Sequence, residues 1–242
     1  MENDIAAKGD NELLALLSRA DSCDLDLFVD YITDSGDGRL ALAGDVCKKL
    51  VAAKRELTYS TAVIELLVRE LKHFGGNSFV NLFRSNGLPY AEIVFDVLDH
   101  VGGKRDEQET VVDAELKIVG RIFARVWETL TSAQRSELEK SLDIKLELAA
   151  LSTVELQKII LMGGSRALNI TRMLSGAMAS STLGGGVAMG ANLVAGRVAG
   201  VALGPIGLAL SGIWGAYSLT SPAYRVTLPC VVLIAYIRLK RG

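Results

Sequence analysis

The residues able to do chemistry are few and scattered. His73 and His100 each stand alone, with no second histidine four residues on and no HExxH. A metal centre or an acid–base pair would therefore need partners brought from elsewhere in the chain. His73 lies beside Glu70 on one helical face, a spacing that suits a surface pair as well as a site. Ser165 stands in Gly-Gly-Ser-Arg rather than in the G-x-S-x-G turn of a hydrolase. Cys23, Cys47 and Cys230 are odd in number, far apart and outside any CxxC pair. That argues against a disulfide framework or a zinc site, and for a reducing compartment with the thiols packed as small apolar groups. Residues 34–38, Asp-Ser-Gly-Asp-Gly, lack the spacing and the distal glutamate of a calcium loop and read as a solvated turn. Gly75 and Gly76 followed by Asn77 and Ser78 offer helix-start amides to a phosphate. With no Walker or dinucleotide pattern around them, a tight corner using glycine at positive φ is the simpler account. An enzyme reading would gather His73, Asn77 and Arg84 around a concave polar pocket. No catalytic, cofactor or metal residue is expected, and the chain reads as a non-enzyme.

What stands out instead is a stretch without chemistry. Residues 183–219 are apolar and dense in Gly and Ala, and carry one charge, Arg197. Gly196, Gly200 and Gly204 recur every four residues, which puts them on one helix face and lets another helix come close. Gly204-Pro205-Ile206-Gly207 is the strongest turn signal there. Residues 184–203 and 208–219 therefore read as two apolar helices of a hairpin. Spanning a bilayer needs about 20 apolar residues. Only residues 184–203 have that length, and Arg197 there costs about 3 kcal/mol on insertion scales.

Charge divides the chain in the same place. No acidic residue follows Glu155, whereas Lys158, Arg166, Arg172, Arg197, Arg225, Arg238, Lys240 and Arg241 do. With a net charge of −2 overall, those eight cations leave −10 on residues 1–155. The hairpin is thus set to meet either a membrane, with the basic tail at anionic headgroups, or the acidic half of its own chain. A pI near 5.8 argues against nucleic acid, and mean hydropathy is high at +0.30. The acidic start has no apolar h-region, against a secretory signal.

The remaining chain supplies amphipathic helices. Residues 1–10 read as a loose tail. Residues 11–20 place Leu13, Leu14, Leu16 and Leu17 on a stripe, and Asp21 or Ser22 caps a helix burying Leu25, Phe28, Val29 and Ile32. Residues 58–74 are the clearest helix, capped by Ser60 or Thr61, buried through Ile64, Leu67, Val68 and Leu71, and ended at Gly75-Gly76 by a left-handed glycine. Pro89 starts a helix burying Ile93, Val94, Val97 and Leu98. Residues 107–128 follow with an Asp113–Lys117 pair, then a helix capped at Thr131 or Ser132, and a capping box from Ser152 to Glu155. Gly163-Gly164 marks the boundary between residues 1–162 and 163–242, the second region packed on or continuous with the first. Residues 165–182 read as a helix. The last helix is expected after Pro229, although VVLIAYI has strand propensity.

Two segments carry a resemblance. One runs Glu70, Leu71, Phe74, Gly75, Gly76, Asn77, Ser78, then Gly87, Tyr90, Ile93, Asp96, Val97. The other has Gly204, Pro205, Gly207, then Ala223, Tyr224, Arg225, Val226, Thr227, Pro229. In this order they resemble the YaaW family, bacterial proteins of uncharacterised function linked distantly to ubiquinol–cytochrome c chaperones. The resemblance implies an all-helical protein and supplies no catalytic residue.

The expected fold is all-α, a multi-helix bundle around a C-terminal glycine-rich apolar helical hairpin. The expected function is non-enzymatic contact with the inner membrane or with an apolar helix, by a cytoplasmic or peripheral bacterial protein. The alternative is a chaperone or assembly factor for membrane-protein segments. Contact residues are Gly196, Arg197, Gly200, Gly204, Pro205, Gly207 and Arg225; Phe74, Gly75, Gly76, Asn77 and Tyr224 are structural. The partners expected are anionic lipid or a partner's apolar helix, with no nucleic acid and no cofactor.

Overall fold

The computed structural model describes residues 2–39, 42–75, 87–142, 153–182 and 223–242. The expected contact residues Gly196, Arg197, Gly200, Gly204, Pro205 and Gly207 lie outside them, as do Gly76, Asn77, Arg84, Ser152 and residues 143–151. Among the described residues the protein is all-α: α1 (Glu2–Leu17), α2 (Ser22–Thr33), α3 (Gly44–Arg55), α4 (Thr61–Phe74), α5 (Tyr90–His100), α6 (Val111–Thr129), α7 (Ser132–Ser141), α8 (Thr153–Leu161), α9 (Gly164–Thr182) and α10 (Tyr224–Arg241).

Local signals explain most boundaries. Ser60 accepts a hydrogen bond from the Val63 amide at the start of α4, satisfying one of the donors a helix start leaves open. Thr110 with Asp113 and Thr131 with Gln134 form capping boxes at α6 and α7. Asp113 is therefore taken up by Thr110, and the expected Asp113–Lys117 pair gives way to Lys117 on Asp106 and Glu109, each at 2.8 Å. The turn after α2 bears out its sequence, with Asp34 and Ser35 at positive φ beside Gly36 and Gly38. Gly163 and Gly164, at φ 69° and 73°, separate α8 from α9.

Two further expectations are corrected. The loose tail is α1. Its Asp10 takes Lys72 Nζ at 2.5 Å and the Tyr90 amide at 3.0 Å, so a carboxylate from α1 serves the N-terminus of α5, which Pro89 cannot cap with a side chain. Gly75 ends α4 and is itself extended, at φ −68°, while Gly76, the other residue of the expected left-handed end, lies outside the described residues. Glycine is needed at Gly75 for space: a Cβ would come within 2.5 Å of Ile93 Cγ1. Gly87 has a positive φ, and a Cβ there would sit 2.7 Å from the Lys72 carbonyl. The last helix, finally, begins five residues before Pro229. The proline stands inside it among buried neighbours, and burial outweighs the hydrogen bond its missing N–H removes.

The core is one continuous cluster running from Leu13 in α1 to Ile237 in α10. α10 is its centre. Every residue from Val226 to Ile237 is buried, and the helix touches α1, α2, α4, α5, α6 and α9. Fully burying each large apolar side chain stabilises by about 1.5–3 kcal/mol relative to exposure. A helix apolar all round has to be enclosed in this way. No helix among the described residues is long and apolar enough to cross a membrane.

Candidate functional site

The two segments that carry the family resemblance meet in space, on α5 and α10. Tyr90, at the first turn of α5, donates its hydroxyl to Glu115 Oε1 at 2.8 Å. Glu115 comes from α6, and Arg238, in the last turn of α10, closes on it as a fork, Nε to Oε2 at 2.8 Å and a terminal nitrogen to Oε1 at 3.0 Å. Glu115 has no exposed surface. Burial pushes its carboxyl above the ordinary range, against the pull of Arg238 and Tyr90. Burial likewise holds the Tyr90 hydroxyl well above its usual value, helped by the charge of Glu115. Each carboxylate oxygen thus has a donor, the condition for a buried ion pair to persist.

The same end of α10 is tied to α2. Lys240 reaches Asp21 at 2.5 Å and Asp24 at 2.8 Å, and Arg241 also binds Asp21. Asp21 is at the N-cap position of α2 but makes no cap bond; its carboxylate goes to the cations. Chiefly through the Lys240 hydrogen bond, the Asp21 carboxyl is held below its ordinary value. Burial works against the Lys240 ammonium, but Asp21 and Asp24 win and raise it. Acids at the N-terminus of one helix and cations at the C-terminus of another also suit both dipoles. Asp21, Cys23 and Asp24 offer ligand atoms within 4.8 Å of one another, and Lys240 and Arg241 sit on the two carboxylates. Three of the tail's cations are accordingly spent on the acidic half of the chain, the second of the two destinations its charge allowed.

At the other end of α10, Tyr224 stacks on His100 with ring centroids 3.6 Å apart. Burial raises the Tyr224 hydroxyl, and the charges of Asp96 and Asp99 add to this. Asp96 is itself raised by burial and by Glu92 and Asp99. Arg225 is exposed at the first turn.

Of the expected structural residues, Gly75 packs against Ile93 and Leu88 near the start of α5, Tyr224 stacks on His100 at its other end, and Phe74 is half-buried against the core. His73 is exposed, and Glu70 is buried beside Arg69 rather than forming a surface pair with it. Cys47 and Cys230 are buried and Cys23 half-buried, all as free thiols. Sequence reasoning missed Glu115, Asp24 and Arg238 as partners. An acid among the apolar positions of residues 107–128 was the available signal. It also missed a buried stripe of small residues on α9, Ala167, Thr171, Ser175 and Ala179, where Tyr31 donates to the Ser175 carbonyl at 3.1 Å.

The fold and site define an all-helical protein whose central C-terminal helix is enclosed by earlier ones and pinned by buried charge. The names of its relatives state no activity. A Helicobacter pylori UPF0174 protein is 34% identical over 188 residues, covering 72% of this chain and 87% of the relative. A second from Helicobacter pylori is 31% identical, covering 73% and 71%. The UPF0174 protein YaaW of Escherichia coli is 31% identical, covering 72% and 70%. The chain belongs to the UPF0174 (YaaW) family. No family model matches it, and no solved structure does.

Proposed function

We propose that this is a non-enzymatic bacterial protein that acts through residues 183–219, on the inner membrane or on an apolar helix of a partner. The observation that carries the proposal is that this stretch holds a single charge, Arg197, beside spaced glycines. Gly196, Gly200 and Gly204 are the close-approach face, Gly204-Pro205-Ile206-Gly207 is the turn, and Arg197 and Arg225 are the anionic contacts. Two features of the described residues support the reading. Arg238, Lys240 and Arg241 are engaged within the fold, so anionic contact is assigned to other cations. The buried carboxylate of Glu115 is enclosed by Arg238 and Tyr90, an arrangement suited to holding helices rather than to meeting a solute.

The test is co-sedimentation of the full chain with vesicles of phosphatidylglycerol or phosphatidylcholine, at low and high salt. Binding to the anionic vesicles, weakened in Gly200→Leu and Arg197→Glu variants, is expected. Recovery in the supernatant under every condition overturns membrane contact. Capture of a defined apolar helix without lipid binding turns the reading to a chaperone or assembly factor.

A further inference from the structure

We propose that Glu115, Asp24 and Asp21 form a register lock for α10, fixing its rotation and height in the core and hence the place of Tyr224, where the chain returns after residues 183–222. Residues 226–237 are buried without interruption over more than three turns. Apolar side chains therefore surround the axis. The Thr227 hydroxyl does not break that uniformity, since it donates within the helix to the Ala223 carbonyl at 3.2 Å. Apolar attraction is non-directional, so a helix of this kind keeps much of its burial when it turns by one residue or slides by one rise. Its cations do not share this freedom. Moving α10 by one residue takes the Arg238 fork off Glu115 and leaves a carboxylate of zero exposure without its counter-charge. Lys240 adds a second fixed point on a different helix, at Asp21 and the buried Asp24. Two charge contacts on α6 and α2 define both rotation and height, the role in which buried polar groups specify register rather than add stability.

The inference stands apart from the reading of residues 183–219, because its test needs neither lipid nor client. The chain has two histidines, so the imidazole signals of His100 are assigned in a labelled protein by comparison with a His73→Asn variant. Stacking on Tyr224 gives them a ring-current shift that reports the position of α10. In a Glu115→Leu/Arg238→Met/Lys240→Met variant, helical content is expected to hold, with the unfolding midpoint lowered by the stranded Asp24, while the His100 signals split or lose that shift. The milder Lys240→Met/Arg241→Met variant keeps the buried pair and is expected to broaden the same signals, with Lys240→Arg leaving them at their original positions. A single, unshifted set of His100 signals in both variants, or in the milder one alone should the first not fold, overturns the lock.

Discussion

The two ends of α10 are held by different physics. At the C-terminal end, Arg238, Lys240 and Arg241 each meet a carboxylate from α6 or α2. At the N-terminal end, Tyr224 stacks on His100, beside acids that repel one another. Charge contacts stripped of water fail steeply when displaced, because an unpaired buried charge is costly. A stack tolerates sliding and is worth less. The hard end is the chain's last turn, and the soft end is the one adjoining the glycine-rich residues. The Glu115, Asp24 and Asp21 pairs thus lie at the end of α10 away from the stretch proposed for contact.

That contrast orders the expected effects of substitution. Glu115→Gln breaks the pair and leaves the half-buried Arg238 charge unpaired. A loss of about 3–5 kcal/mol in urea unfolding is expected, the usual range for removing one partner of a buried pair. A loss no larger than that of a surface substitution would erase the distinction between the ends. Lys240→Ala strands the buried Asp24, for an expected loss of about 1–3 kcal/mol. It carries a pH signature as well. The folded pKa of Lys240 is raised above 10.5, so its contribution is whole below that value and fades as pH rises through the folded pKa. Unfolding followed into the alkaline range should show wild-type and variant stabilities converging.

Tyr224→Ala tests the soft end. Losing the stack should cost about 0.5–1.5 kcal/mol, with hydrogen exchange rising first in the opening turn of α10. The smallest effect is expected of Asp96→Asn. Burial, then Glu92 and Asp99, raise the Asp96 carboxyl, so the folded state holds its proton more tightly than the unfolded state. Ionised Asp96 opposes folding, and stability falls as pH rises from the ordinary carboxylate range through the folded pKa. The variant should be slightly more stable at neutral pH and lack that slope; a destabilised variant would mean that Asp96 serves the stack.

Much of the helical order was legible because it rests on short-range chemistry. Ser60, Thr131 and the paired glycines before α9 act on their own neighbours, and the buried sets of α2, α4 and α5 follow from periodicity. What escaped were contacts between residues far apart in sequence. Asp10 looked like part of a loose tail because its partners, Lys72 and the Tyr90 amide, belong to other helices. The close approach at Gly75 escaped too, because nothing in the sequence showed Ile93 pressing against it.

The amino-acid order by itself determined an all-helical chain, its acidic first part and basic end, and the run with a single charge between α9 and α10, since propensity, capping and charge count are properties of neighbours along the backbone. Only the tertiary structure decided that the final helix is the centre of the core and that Glu115, Asp21 and Asp24 receive its cations. Ion pairing depends on which side chains the packing brings within a few ångströms, and apolar periodicity says which face is buried without saying what lies against it.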